Sequence, residues 1–261
     1  MLSTSIRLLT VAALAIAIAA CDSSTGPSEG GEVEIRFRST TTAAAVPGLL
    51  AVPVAGTNGI LELTDLRMVI AELEFEALDG TCPSNSSDDD DDDCEEIELP
   101  PRLVEVPLDG SPLAVTTADL PAGAYDEFEL EVEDLEDDEG DPGYAQAIAT
   151  LRSTIAASFP DWPEEASVRV EGSFTPTGGQ ARPFVVYIDA EVEVELDLSP
   201  PLQVREGVTA GLDVVLSPER WFVLEDGSVL DLSAFDFPTT GVLLELEVEI
   251  EDGFEVEIDD D

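Results

Sequence analysis

The stretch FVVYIDAEVEVELDL, residues 184–198, decides the fold class. Its apolar side chains recur at every second position, and acidic residues fill the places between them in its second half. Such alternation is typical of a strand with one buried and one solvated face. The pattern therefore predicts a strand whose buried face carries the following residues: Phe184, Val186, Ile188, Ala190, Val192, Val194 and Leu196.

The same two-residue period recurs in EVEIRFR (32–38), VIAELEFEA (69–77), YDEFELEVED (125–134) and VTAGLDVVL (208–216). In the second of these, the period places Val69, Ala71, Leu73 and Phe75 on one face. Many half-buried strands separated by turn residues indicate an antiparallel β-sandwich. We therefore expect an all-β domain over residues 32–261.

Two segments refine this prediction. Residues 143–159 have apolar side chains at helical spacing after Pro142 and before Pro160, which predicts one inserted amphipathic helix that packs on its own sheet. The segment 242–258 alternates on both sides of Asp252-Gly253 and predicts a C-terminal hairpin. A three-residue loop would pair Ile250 with Phe254 and would place Gly253 at the left-handed position.

The N-terminus indicates export. Residues 1–20 contain Arg7 and then an apolar run that is too short for a confident transmembrane helix, as in a secretory signal peptide. The run ends in Ala19-Ala20-Cys21, which resembles the lipobox of bacterial lipoproteins, and this resemblance implies lipidation of Cys21. Residues 21–31 form a polar segment of Ser, Gly and Pro character, which predicts a flexible tether.

The charge is extreme, with 59 acidic residues against 10 basic residues, all of them Arg, and a net charge of −49. Such a chain lacks the clustered cations that nucleic acid requires, so nucleic acid is not an expected partner. Attraction of cations is expected instead. The expected location is the cell envelope, at the outer membrane or the outer face of the inner membrane, with the N-terminal lipid as the membrane contact.

The segment CPSNSSDDDDDDC, residues 82–94, is the most acidic part of the chain. In an oxidising compartment, Cys82 and Cys94 are expected to form a disulfide. Calcium prefers oxygen ligands, and the candidate ligands are Asp88, Asp90, Asp92 and Asp93. The run lacks the Gly and the final Glu of an EF-hand, so a specific calcium site, a diffuse cation site and a solvated loop all stay open.

Catalysis is difficult to build from these residues. The chain has no His and no Lys, so the usual general bases and amine nucleophiles are absent. Paired carboxylates are the remaining option, and with 59 acidic residues they occur by chance. We therefore expect a protein that is not an enzyme and needs no cofactor, with Ca²⁺ as the one candidate. Trp162 and Trp221 are candidate platforms for envelope glycans, although each is more typical of a core side chain.

Three motifs together resemble a bacterial lipoprotein family of unknown function with a carbohydrate-binding-like or transthyretin-like sandwich. They are the lipobox, an early strand pair LELTDLRMVIAELEFEA (61–77), and the turn LPAGAY (120–125) that enters the next strand. The resemblance covers about residues 32–135 and implies a fold and an envelope location, with no site residues. The resulting hypothesis is a non-catalytic binding or structural module. The alternatives are a calcium-binding or cation-binding protein and a carbohydrate-binding module.

Overall fold

The computed structural model describes residues 30–40, 51–78, 96–135, 142–246, 250 and 253–259. These residues form thirteen strands, two α-helices and two short 3₁₀ helices. The first seven strands are β1 Gly30–Ser39, β2 Val52–Gly56, β3 Gly59–Ala77, β4 Glu96–Leu99, β5 Arg102–Glu105, β6 Leu113–Pro121 and β7 Gly123–Val132. The remaining strands and helices are α1 Pro142–Ser158, β8 Val168–Pro176, β9 Arg182–Asp189, β10 Val192–Val204, β11 Thr209–Leu216, α2 Phe237–Thr240, β12 Leu244–Glu245 and β13 Phe254–Asp259.

The strands form two sheets that enclose one large core, which confirms the all-β sandwich with an inserted helix. The smaller sheet has the order β13-β11-β1-β6, and the larger sheet has nine strands built around β3. The sandwich is mixed rather than purely antiparallel, because β1 pairs with β11, and β9 with β12, in parallel. The first strand begins at Gly30, two residues inside the segment that the sequence assigned to the tether.

The larger sheet contains three long rows. The first row is β3, a single 19-residue strand where the sequence predicted a strand pair. One edge of β3 pairs first with β8 and then with β7, because Met68 faces Val168 and Ile70 faces Val132. The second, middle row is β8 and β7 placed end to end. The third row is β9 followed by β10, which pair with β8 and β7 in the same order. The opening stretch 184–198 therefore spans two strands with a break at residues 190–191.

A β-bulge in β3 corrects one predicted face. The pairing of β3 with β7 shifts register between Ile70 and Glu72, so the strand gains one residue there. Leu73 and Phe75 belong to the main core, whereas Val69 belongs to a separate cluster on the other side of the sheet. The prediction that Val69 shares a face with Leu73 and Phe75 is wrong, because the extra residue moves later side chains to the opposite face.

The inserted helix packs as predicted. Helix α1 follows β7, precedes β8, and lies on the outer face of the larger sheet. Its Ile148 and Ile155 are buried against Val69 and Leu135. The hydroxyl of Tyr144 donates a hydrogen bond to the carbonyl oxygen of Ala71 at 3.1 Å. None of the helices in the described ranges is long and apolar enough to cross a bilayer.

In the described residues, the two arms of the predicted C-terminal hairpin do not pair with each other, and the prediction is wrong for them. Strand β13 pairs with β11, where Val256 faces Val214, and β12 pairs with β9 in the other sheet, where Leu244 faces Ile188. Pairing across the sandwich buries the apolar face of each segment, which an isolated hairpin would leave half exposed. Gly253 is required for a different reason from the one predicted, because a Cβ atom there would collide with the indole nitrogen of Trp221.

Candidate cation-binding face

The solvated face of the larger sheet carries a block of carboxylates, here called the acidic grid. In β7, Glu127, Glu129 and Glu131 alternate with core residues that point the other way. The strands on both sides supply further acids in register. The ten members are Glu72, Glu74 and Glu76 of β3, Glu98 of β4, Glu127, Glu129 and Glu131 of β7, and Glu193, Glu195 and Asp197 of β10.

Every cross-strand pair within the acidic grid joins two acids. Glu129 faces Glu74 on one side and Glu195 on the other, and Glu131 faces Glu72 and Glu193 in the same way. Side chains directly opposite each other lie with Cβ atoms about 5 Å apart. Two unit charges at that distance repel by about 1 kcal/mol in water and by several times more in a partly desolvated setting. The grid therefore destabilises the sheet unless protons or cations neutralise it.

The pKa values of two glutamates on the middle strand, β7, respond to this repulsion. Burial, followed by the charge of Glu133 and then of Glu72 and Glu193, raises the pKa of Glu131 to about 7. Burial and the charges of Glu76 and Glu195 also raise the pKa of Glu127. Both shifts arise because the β7 glutamates are half-buried with acids on either side.

Two trios within the grid have the spacing of metal ligands. One carboxylate oxygen from each of Glu72, Glu74 and Glu98 lies within 4.8 Å of the others. The second trio is Glu129, Glu193 and Glu195, whose carboxylate oxygens also lie within 4.8 Å of one another. Calcium takes six to eight oxygen ligands, including waters, at roughly 2.3–2.6 Å. Each trio can therefore supply three carboxylates to a hydrated calcium ion after small side-chain movements.

The smaller sheet handles its charge differently. There Arg36 donates to Asp213 at 2.5 Å and to Asp259 at 2.9 Å, and Arg38 donates to Glu257 at 2.5 Å. These arginines of β1 reach acids of β11 and β13 and neutralise them within the protein. Every position of the acidic grid holds Glu or Asp, so added cations would relieve repulsion there.

Most site residues predicted from the sequence lie outside the described residues. These are the lipidation site Cys21, the disulfide pair Cys82 and Cys94, and the aspartates Asp88, Asp90, Asp92 and Asp93.

The two tryptophans are described, and both pack within the protein. Trp221 is 1% exposed in the main core beside Phe254, which excludes it as a surface platform. Trp162 is half-buried against the helix cluster, and its indole nitrogen donates to the carbonyl oxygen of Ala166 at 2.7 Å. The structure brings neither of them into the acidic grid.

The grid as a unit was missed by the sequence-based prediction, although its alternating glutamates were visible in single strands. The sequence feature that could have revealed the grid is the similarity of VEVELD (192–197) and FELEVE (128–133). These two segments have the same period and the same charge, and they pair in the structure. A period of two shows which face is solvated. It does not show which strands are neighbours.

Comparison with known proteins gives one structural likeness. MbnP from Methylosinus trichosporium matches with a TM-score of 0.38 and 13% sequence identity, over 88% of this chain and 99% of that chain. No protein-family model matches the chain, and no curated protein matches it.

Proposed function

We propose that this chain is an exported, lipid-anchored and non-catalytic module of the bacterial cell envelope that binds divalent cations through its acidic grid. The observation that carries the proposal is the register of β3, β7 and β10. At three successive positions of β7, an acid faces an acid on β3 and another on β10. Cations reduce this repulsion, and a divalent ion that bridges two strands reduces it more per ion than a monovalent ion. Calcium is the expected ion, because carboxylate oxygens suit it and an exported protein meets it at high concentration.

The envelope location follows from the N-terminal sequence. A signal-like segment that ends in Ala-Ala-Cys supports cleavage before Cys21 and attachment of lipid to its thiol. The polar residues that follow would act as a tether between the lipid and β1. On a membrane-anchored protein, the acidic grid would act at the cell surface or in the periplasm, where free divalent ions are present.

A non-catalytic role fits the side-chain chemistry. The chain contains no His or Lys, and its acids are spread over a sheet face. The raised pKa of Glu131, about 7, has a sufficient cause in burial and neighbouring charge. Structural charge clusters perturb pKa values as active sites do, so this shift does not require a reaction.

The decisive experiment measures thermal unfolding of residues 22–261 after chelation of metal. Calcium is added in micromolar steps, and sodium chloride is added to parallel samples at matched and much higher ionic strength. A ligand that binds only the folded state raises stability with its concentration. We expect stabilisation at calcium concentrations where matched sodium chloride has no effect. Equal stabilisation by the two salts at equal ionic strength would contradict specific cation binding.

Two variants locate the effect. Glu129→Gln with Glu195→Gln removes two ligands of one trio and should weaken the calcium response. A second variant changes Asp88, Asp90, Asp92 and Asp93 to Asn and leaves the grid intact. If only the second variant abolishes the response, calcium binds the aspartate run and the grid is not the site.

A further inference from the structure

At the opposite end of the same sheet face lies a long groove over β8 and β9. It consists of two adjoining cavities of about 590 and 370 Å³ that share Val185. In the larger cavity, the residues after α1 form one wall with Phe159, Pro160 and Asp161, and Phe237 and Pro238 at the start of α2 form the other. Arg169 and Tyr187 also line this cavity.

Hydrogen bonds hold both walls in place. The amide of Val185 donates to Oδ1 of Asp236 at 3.0 Å, which fixes the start of α2 to β9. The indole of Trp162 bonds to Ala166 and packs edge-on against Tyr187, with ring centroids 5.4 Å apart. Phe237 packs edge-on against Tyr187 in the same way, with ring centroids 5.1 Å apart. A groove with fixed walls loses little conformational entropy when a ligand binds in it.

The charges around the groove exclude an anionic ligand. Arg169 donates to Asp65 at 2.6 Å and to Glu171 at 2.7 Å, so its charge is already neutralised. Arg67 is likewise paired with Asp65, at 3.0 Å, and with Glu105, at 2.8 Å. Three carboxylates thus hold two guanidinium groups, and the surrounding chain carries a net charge of −49. An approaching anion would be repelled.

An organic cation is disfavoured by the same arginines. The guanidinium carbons of Arg67 and Arg169 lie 4.9 and 5.0 Å from the centroid of the Phe159 ring. The attraction of this aromatic ring for cations is therefore already used within the protein. An uncharged ligand meets neither obstacle. It can place an apolar face against Phe159 and Phe237 and direct hydroxyl groups to the exposed side chains of Asp161 and Ser158.

We infer that this groove binds a neutral oligosaccharide. A sugar ring combines a flat face of C–H groups, which packs on aromatic and proline side chains, with a rim of hydroxyls that carboxylates accept. The second cavity continues the groove past Glu62, Thr64 and Ser173. The hydroxyls of Ser173 and Thr64 donate to Glu62 and to the carbonyl oxygen of Glu171, so their oxygens can accept hydrogen bonds from the next sugar units of a linear chain. This site does not include Trp221, which is buried, and Trp162 supports the wall through Tyr187. The inference is independent of cation binding, since the acidic grid lies at the other end of the sheet.

The test is calorimetric titration of residues 22–261 in chelator, so that cation binding makes no contribution. The probes are the neutral tetrasaccharides cellotetraose, maltotetraose and tetra-N-acetylchitotetraose, with tetragalacturonate as the anionic probe and deacetylated chitotetraose as the cationic probe. We expect at least one neutral probe to bind, and both charged probes to bind at least about tenfold more weakly.

Two variants tie binding to the groove. Phe237→Ala removes one apolar wall, and Asp161→Ala removes an exposed hydrogen-bond acceptor whose loss does not affect the core. Each should weaken binding of the neutral probe about tenfold. Glu165→Ala, an exposed acid on the same loop outside the groove, is the matched control and should leave binding unchanged. The inference is overturned if no neutral probe binds at about 5 mM, if a charged probe binds more tightly, or if both groove variants bind as well as the control.

Discussion

Replacing Glu131 by Gln should stabilise the protein at alkaline pH and leave it nearly unchanged at acidic pH. Glu131 lies on the middle strand of the acidic grid, at one end of it, between Glu72 and Glu193. Folding raises the pKa of this carboxyl from 4.5 to about 7, so the folded state binds the proton more tightly than the unfolded state. The stability that protonation provides is complete below the ordinary pKa of 4.5 and is lost as pH rises through about 7.

The size of the effect follows from these two values. A tenfold change in proton affinity is worth about 1.4 kcal/mol, so the full difference corresponds to about 3 kcal/mol. Glu131 is only half-buried, and salt and water screen its neighbours, which reduces the expected effect to about 1–2 kcal/mol. Glutamine has the shape of the protonated acid and carries no charge. It should therefore recover this amount at pH 8 and recover almost nothing at pH 4.

Urea unfolding of both proteins at pH 4 and pH 8, in chelator and at low salt, measures the difference. Glu225→Gln, in an exposed turn away from the grid, is the matched control and should change stability by less than about 0.5 kcal/mol at either pH. A gain for Glu131→Gln that is equal at the two pH values would show that the charge of Glu131 is not the cause. A loss of stability at pH 8 would refute the repulsion argument outright.

Three further outcomes are expected. Mass spectrometry of the exported protein should find lipid on Cys21, and Cys21→Ser should release the protein from the membrane fraction; an unmodified Cys21 would contradict the anchor. Gly253→Ala should lower the free energy of unfolding by about 1–3 kcal/mol in urea, because the added methyl group collides with the buried Trp221; an unchanged midpoint would show that the segment relaxes freely. Tyr125→Phe should cost about 1 kcal/mol in the same assay, because it removes the 3.1 Å hydrogen bond from the Tyr125 hydroxyl to the carbonyl of Pro121; no loss would mean that water replaces the hydroxyl.

The sequence predicted the parts of the fold that depend on local period. Phe128, Leu130 and Val132 are buried as their alternation indicates, and α1 begins and ends close to Pro142 and Pro160. The turn LPAGAY also exists, but it joins β6 of one sheet to β7 of the other. Its role as a corner between sheets depends on packing that a six-residue motif does not specify.

The predictions that failed concern features that depend on pairing between strands distant in the sequence. The bulge beside Ala71 moves Val69 to the helix side of the sheet, and a two-residue period has no means of showing an inserted residue. Likewise, Phe254 and Val256 have the alternation of a hairpin strand, yet β11 provides a partner that buries them better than their sequence neighbours do. The acidic grid was hidden for the same reason, since its acids come from four strands.

The point where β7 ends and β8 begins has an evolutionary consequence. Val132 faces Ile70 and Val168 faces Met68, so the chain leaves the middle row of the sheet and returns almost where it departed. Residues 133–167, including α1, are therefore an excursion from what would otherwise be one continuous strand. Insertions or deletions within the excursion would leave the alignment of the three rows unchanged. Apart from the apolar patch around Val69 that α1 covers, the two ends of the sheet face can then diverge independently under selection.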